Sequence, residues 1–439
     1  MKIALVDIQS KSNLVINKDL SAGFGTSSHF GNNWSSILLT SFKRKNVKIP
    51  ILMFGYLSSI LTSRGYEVVS ITNLEEVSNE VDLYIIYSSL IEHYSEIKFA
   101  NKIKNSTNAK IAFVGPFATA NPELFEDHSD FIIIGEPERV FLEMSIDKLP
   151  LGRVEGSTIN DLDELPFPNW APFDINSFSY NHYIKKKPFV SMITSRGCPY
   201  PCGYYCPYPS FQGNKMRFRS VPNVLDEIEY LINTYSVRGI LFRDPIFTID
   251  KKRIEKLADG IIKRKLDIEW VCETHLNRLD FKLIDRMYES GLRGINVGIE
   301  SSDEDILKSS NRTFSIKSHQ ESIINYAEKI GIKIGAFYIF GMDEDTEKTI
   351  LNTIEYAIKL NTTYAQFTIS TPYPGTKFYE QVKDDIFEYN WEKYDIYHAV
   401  YNHPTISSEK LESLKEYAYY KYYFRPSWVW KYVNNRFLK

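Results

Sequence analysis

Cys198, Cys202 and Cys206 stand in one short run, Thr194-Ser195-Arg196-Gly197-Cys198-Pro199-Tyr200-Pro201-Cys202-Gly203-Tyr204-Tyr205-Cys206-Pro207, in a chain of 439 residues that holds 4 cysteines. Thiolates are soft ligands, and three on one loop admit three accounts. They can hold three irons of a [4Fe–4S] cluster and leave the fourth iron open to a small molecule that takes an electron. They can hold zinc, which usually wants four ligands, with His182 or His275 as the fourth. They can also stand unligated, which a tight loop of glycine and proline disfavours. Cys272 lies far from the run, so a disulfide framework suits this set poorly.

The run needs a scaffold that presents it, and the surrounding pattern supplies one. Apolar runs at residues 189–194, 239–243, 269–273, 294–299, 333–339 and 365–370 alternate with amphipathic stretches at 221–234, 251–264, 281–290, 316–330 and 345–360. Strand–helix steps with short connections predict a parallel, partial (β/α)6 TIM-like barrel over residues 189–376. The cysteines follow its first strand directly, at the end where barrel active sites form. Upstream, residues 1–147 alternate in the same way, with strands expected at 2–6, 67–71, 82–87, 110–114 and 131–134. That predicts a doubly wound, Rossmann-like parallel sheet. The polar loop 21–33 follows its first strand, where open parallel sheets bind ligands. Residues 148–188, with Leu165-Pro166-Phe167-Pro168-Asn169-Trp170-Ala171-Pro172, read as a linker, and 377–439 as a tyrosine-rich helical C-terminal extension. The fold class is α/β throughout.

Composition limits the function. A net charge of -3, 43% hydrophobic and 24% charged residues describe a soluble globular chain with no basic field for nucleic acid. No apolar run is long enough to cross a membrane, and the start reads as a strand rather than a secretion signal. A reducing, cytoplasmic setting is therefore expected, in which thiolates and iron–sulfur clusters survive.

The approach Thr194-Ser195-Arg196-Gly197-Cys198-Pro199-Tyr200 resembles the cluster loop of radical S-adenosylmethionine (SAM) enzymes, in particular the subgroup with an N-terminal cobalamin-binding domain. Arg217-Phe218-Arg219-Ser220, Gly298-Ile299-Glu300-Ser301 and Thr371-Pro372-Tyr373-Pro374-Gly375-Thr376 resemble the same subgroup. In the N-terminal half so do residues 49–57, Val114-Gly115-Pro116-Phe117-Ala118-Thr119 and Ile134-Gly135-Glu136-Pro137-Glu138. The common family spacing is Cys-x3-Cys-x2-Cys, whereas this chain has Cys-x3-Cys-x3-Cys. Gly203 is expected to absorb the extra residue through unusual dihedrals, and Tyr205 to take the aromatic place beside the third cysteine.

The resemblance implies a fold, cofactors and roles. Cys198, Cys202 and Cys206 would ligate [4Fe–4S]. SAM would chelate the open iron and be split by one electron, giving a radical that abstracts hydrogen. Its expected contacts are Tyr205, Asp244, Glu300, Ser301 and His275. The blander readings stay open, with Asp244 a strand-end cap, Ser301 or Ser302 a helix N-cap, and His275 a polar rim residue. Cobalamin is expected in the N-terminal domain, contacted by the 21–33 loop and near Ser88, Ser89 and Gly115. No Asp-x-His-x-x-Gly offers it an axial histidine. The implied activity is reductive SAM cleavage followed by cobalamin-dependent methyl transfer to an unactivated carbon. Radical rearrangement or cyclisation is the alternative, or, from another class, a non-catalytic zinc- or cluster-binding protein. Expected partners are a small-molecule or lipid-like substrate and a reductant such as flavodoxin or ferredoxin. The aromatic, basic tail fits either a membrane surface or a helix packed on the barrel.

Overall fold

Runs such as Lys-Ile-Ala-Leu-Val (Lys2–Val6) and Leu-Tyr-Ile-Ile-Tyr (Leu83–Tyr87) carry apolar side chains on both faces, which only a strand covered on both sides can bury. In the computed structural model, which describes residues 1–11, 14, 16–145 and 148–437, they lie at the heart of a parallel sheet. Its six strands run in the spatial order Glu67–Ile71, Lys2–Val6, Leu83–Tyr87, Lys110–Val114, Phe131–Ile134 and Gly152–Glu155. Ile3 is in register with Val68 on one side and Leu83 on the other, so the winding reverses at the first strand. That reversal is the topological switch point of a doubly wound sheet. Leu52–Ser63 packs its apolar face into the same core, with Phe54, Leu57, Ile60 and Leu61 buried against Ile3, Leu5 and Ile85.

The stretch 148–188 departs from a simple linker. Gly152–Glu155 forms the sixth strand of the first sheet, in register with Phe131–Ile134. Its residues are mostly exposed, so no apolar signal betrays it; the strand is recruited by backbone pairing at a sheet edge. Compact packing divides the chain into one unit of residues 1–27, 48–178 and 217–219, and a second of 28–47, 179–216 and 220–439.

In the second unit, Phe189–Met192, Gly239–Phe242, Glu269–Glu273, Leu292–Glu300, Lys333–Phe340 and Tyr364–Ile369 pair in parallel, in chain order. This is the partial barrel. Its helices start where polar caps tell them to: Ser220, Asp250, Asp280 and Thr346 each accept a hydrogen bond from the first turn of the helix that follows. On the long fourth strand, Ile295 and Val297 are buried, while Gly294, Asn296 and Gly298 alternate onto the other face. Tyr183 fills that space from below, its hydroxyl donating to Asn296 Oδ1 at 2.7 Å. A Cβ on Gly335 would lie 2.0 Å from the Tyr183 hydroxyl, so glycine there is what admits the ring.

An incomplete barrel has an open edge, and the C-terminal helix Ser408–Tyr423 covers it. Tyr423 Oη accepts from the Ala365 N–H at 2.9 Å and donates to the Ala365 carbonyl at 2.6 Å, while Tyr419 Oη accepts from the Phe367 N–H at 3.1 Å. Tyrosine hydroxyls thus stand in for the hydrogen bonds of a neighbouring strand. This is the packed alternative for the tail, with Tyr419 and Tyr422 fully buried, although Tyr420 and Trp430 remain exposed. Tyr423→Phe should cost about 1–3 kcal/mol, because it leaves strand groups without partners. Urea unfolding of the two proteins side by side measures this, and an unchanged midpoint would refute it. Among the described residues, no helix is long and apolar enough to cross a membrane.

Candidate active site

The cysteine loop leaves the first barrel strand and is tied down along its length by groups from the strands beside it. At its start, Asp244 accepts from the Thr194 N–H (2.9 Å), the Thr194 hydroxyl (2.7 Å) and the Ser195 hydroxyl (2.6 Å). Gly197 has φ +94°, and a Cβ there would meet the Lys215 carbonyl at 2.1 Å, so only glycine turns the chain at this point. The Cys198 N–H donates to the Gly213 carbonyl at 3.0 Å. Tyr200 receives a hydrogen bond from Arg278 Nε at 2.8 Å and packs against the His275 ring at 5.3 Å between centroids. Tyr204 donates to Asp343 at 2.8 Å. Each tie comes from a different place on the rim, so the loop is held in advance of any ligand.

The extra residue of the loop is absorbed differently from the expectation. Gly203 has no positive φ; it lies inside a 3-10 turn, Pro201–Tyr204. The Tyr205 and Cys206 N–H groups both donate to the Cys202 carbonyl, at 3.2 and 3.0 Å. A helical turn therefore takes up the added residue and keeps Cys202 and Cys206 one turn apart.

Arg312 governs the charge of the site. Its guanidinium reaches Cys202 Sγ at 3.7 Å, the Gly298 carbonyl at 3.1 Å and Glu300 Oε1 at 3.1 Å. Cys202 is drawn down to about 6 by a hydrogen bond from Cys206 and, against the cost of burial, by Arg312. Burial pushes Cys198 up to about 11, and the Cys202 contact followed by burial pushes Cys206 well up. Cys202 is thus the thiolate at neutral pH, and ligation at the other two would expel protons. Glu300 ends the fourth strand at a bulge, with φ +62°, a backbone region that non-glycine residues seldom adopt. Burial raises its carboxyl above the usual range, with Arg312 opposing. A Cβ on Gly298 would lie 2.6 Å from Arg312 Nη2, so that glycine makes room for the guanidinium.

The donor set fits an iron–sulfur cluster. Three cysteines on one loop offer thiolates and no competing carboxylate, and Cys198 and Cys202 are buried while Cys206 is half-buried. Among the described residues, no three ligand-type side chains converge on one ion-sized point. A cubane takes one sulfur on each of three irons and does not ask for such convergence. The Tyr205 hydroxyl is buried beside the loop and has no hydrogen-bond partner among the described residues. An orphaned polar atom at this place fits a polar ligand.

A family model for the radical SAM superfamily matches residues 192–357, which hold the loop and the rim residues just described. An uncharacterized methyltransferase of Pyrococcus horikoshii is 30% identical over 365 residues, 77% of this chain and 77% of the relative. The chain belongs to the radical SAM superfamily. A bacteriochlorophyllide d C-12(1)-methyltransferase of Chlorobaculum tepidum is 27% identical over 358 residues, 79% of this chain and 72% of that protein. Among solved structures, the radical SAM methyltransferase TsrM from Kitasatospora setae, with cobalamin and a [4Fe–4S] cluster bound, covers 87% of this chain and 78% of its own, at TM-score 0.62 and 16% identity. The likeness in fold therefore takes in both units and not only the radical SAM barrel.

Set against the radical SAM expectation, the rim residues divide. Tyr205 and Glu300 sit beside the cysteines. Asp244 is fully buried just past the end of the second strand, and its oxygens are taken by Thr194 and Ser195. Ser301 accepts from the Asp303 N–H at 3.1 Å and belongs to the turn before the helix Glu304–Ser309, whose N-cap is Asp303. His275 donates from Nε2 to the Thr313 carbonyl at 2.6 Å and accepts at Nδ1 from the Asn277 N–H at 3.3 Å. With both nitrogens used, it positions the chain next to Arg312 and has no free lone pair for a metal. The residues missed were Arg312 and the Arg243–Glu273 pair, 3.0 Å apart on the second and third strand ends. Arg312 lies in a loop whose neighbours carry no pattern, so sequence held no signal for it.

Burial and the nearby Arg312 cation depress His275 to about 4. The folded chain keeps it neutral, whereas the unfolded chain binds a proton below about 6.5. Its contribution is therefore full above that pH and is lost as pH falls toward 4. The loss should reach on the order of 3 kcal/mol. Denaturant titrations at pH 7, 5.5 and 4.5 should give a steeper acid decline than in His275→Gln; parallel declines would exclude this account.

In the first unit, Ser88 and Ser89 do lie at the switch point, yet both are fully buried. Ser88 Oγ donates to the Val114 carbonyl at 3.0 Å and accepts from the Ala118 N–H at 2.8 Å, and Ser89 Oγ donates to Glu96 at 2.7 Å. Gly115, at φ +113°, packs against Ser88. The Ser88 and Ser89 hydroxyls are thus spent within the fold. The same end of the sheet buries Lys18, paired with Glu96 at 2.8 Å and Asp7 at 3.3 Å, which sequence reading also missed. Burial alone would lower Lys18; the two carboxylates outweigh it and hold the ammonium charged. Arg217 forks onto Glu136 at 2.5 and 3.0 Å, which joins two of the subgroup-like stretches by an ion pair.

Proposed function

We propose that this radical SAM enzyme binds [4Fe–4S] through Cys198, Cys202 and Cys206 and transfers a methyl group to an unactivated carbon with the help of cobalamin. When bound, the cluster and SAM supply reductive cleavage of a carbon–sulfur bond, and cobalamin supplies a methyl carrier. The observation that carries the reading is the clamped loop of three cysteines at the mouth of the barrel, with the Arg312 guanidinium on Cys202. Methyltransferase names among the relatives support methyl transfer over rearrangement.

The chain's own residues have distinct tasks. Asp244, Arg278 and Asp343 hold the loop in place. Tyr205 presents its hydroxyl to the ligand. Glu300 and the Arg243–Glu273 pair line the mouth with both signs of charge, which suits a ligand that carries a carboxylate and an ammonium together. Buried aromatic and aliphatic side chains on the strands keep water from the reacting centre. The N-terminal sheet takes cobalamin at its switch-point crevice, through backbone groups rather than through the Ser88 and Ser89 hydroxyls. The setting is a reducing cytoplasm, with a small-molecule substrate and a flavodoxin- or ferredoxin-like reductant.

Anaerobic reconstitution with iron and sulfide, followed by SAM and dithionite with and without cobalamin, tests this. The expected products are 5′-deoxyadenosine in every reconstituted sample and S-adenosylhomocysteine only where cobalamin is present. Cleavage that never yields S-adenosylhomocysteine would favour rearrangement. No SAM cleavage at all would overturn the reading.

A further inference from the structure

A cavity of about 360 Å³ lies in the second unit at the end of the barrel away from the cysteine loop. Lys333 and Tyr364 line it, and each begins its strand, whereas the cysteine loop follows a strand end. Its walls include three lysines, Lys185, Lys333 and Lys431, and an aromatic shelf in which Trp428 and Tyr432 stack at 5.1 Å with 18° between their planes. His182 completes the lining near Lys333.

The charge of this cavity is lopsided. None of its described lining residues is acidic. Lys431 is taken by Glu328. Lys333 donates to the His182 carbonyl at 2.5 Å and to the Tyr183 carbonyl at 3.4 Å, which are dipoles and not counter-charges. Among the described residues neither Lys333 nor Lys185 has an ion-pair partner; the nearest carboxylate, Glu269, is taken by the backbone N–H groups of Lys185 and Lys186 and opposes the burial of Lys333 only through space. Burial, followed by the repulsion of Lys185, lowers Lys333 to about 8. Burial and the neighbouring Lys43 and Lys333 keep His182 neutral. The Lys333 ammonium is partly drawn out of water without an ion-pair partner, which is costly, and an anion held between it and the exposed Lys185 would relieve that cost. The volume is that of a small-molecule pocket, and flat rings bind well to stacked aromatics.

We propose that this cavity is a second ligand site, which takes a small planar aromatic anion with its charge at Lys185 and Lys333 and its ring on the Trp428–Tyr432 shelf. The site is independent of the chemistry at the barrel mouth, and its test needs no cluster.

Fluorescence anisotropy of 1-naphthyl phosphate with the full-length protein tests it, with 1-naphthoate as the carboxylate form and 1-naphthol as the ring without charge. Saturable binding of one or both anions is expected, and the tighter of the two identifies the anion class. Loss of the charge, in 1-naphthol, should weaken binding about tenfold or more, as should Lys185→Glu. Lys185 is exposed, so its reversal leaves the core untouched. Trp428→Ala should weaken both anions together. Equal affinity for 1-naphthol, or wild-type affinity in Lys185→Glu, would overturn the proposal, as would no saturable binding of either anion.

Discussion

Alanine at Cys198, Cys202 or Cys206, one at a time, should reduce the iron held after anaerobic reconstitution from about four per chain to well under one, and abolish SAM cleavage. The reason is the donor count. The loop carries three of the chain's 4 cysteines, and the remaining one, Cys272, is fully buried in the third barrel strand. The cluster loop thus has no spare thiolate, and the loss of one leaves two irons unheld by the protein. The fold should survive each change, because the loop is fixed by Asp244, Gly213 and Arg278 and not by its sulfurs. Iron and sulfide assay, the visible absorption of the reconstituted protein and far-ultraviolet circular dichroism together decide it. A single alanine variant that keeps the full complement of iron would refute three-cysteine ligation.

Arg312→Met should be nearly as severe by a different route. It removes the cation that meets both Glu300 and Cys202, and it leaves the Glu300 carboxylate buried beside a thiolate. Breaking a buried pair from one side costs about 3–5 kcal/mol. Glu300 also occupies a left-handed backbone position, so the rim has little freedom to rearrange. Arg312→Lys should rescue only part of the loss, since an ammonium cannot hold the Gly298 carbonyl, Glu300 and Cys202 with one planar fork. The double variant Arg312→Met, Glu300→Gln separates the two effects. It should recover most of the stability, because the stranded charge is gone, and little of the SAM cleavage, because Cys202 still lacks its cation. If activity returned with stability, Arg312 would be a structural residue alone.

The elements and the candidate thiolate ligands were legible in the chain because their signals are local. Strands buried on both faces read as apolar runs wherever they occur, and Lys2–Val6 or Phe189–Met192 needed no partner to be recognised. Three cysteines spaced along one loop announce a thiolate site by proximity in sequence. The sixth strand of the first sheet escaped because it lies at an edge and is mostly exposed, so pairing alone defines it.

Which side chains face the mouth was settled only when distant segments met. Asp244 and Arg243 are adjacent in sequence, just past a strand end, yet one binds the loop base at Thr194 and the other pairs with Glu273. His275 looked like a ligand until Thr313 and Asn277 claimed both of its nitrogens. Arg312 has no local mark, and its importance arises from Gly298, Glu300 and Cys202 converging on it from three segments. Hydrogen-bond and charge partners that lie far apart along the chain are chosen by packing, and residue type and spacing do not encode that choice.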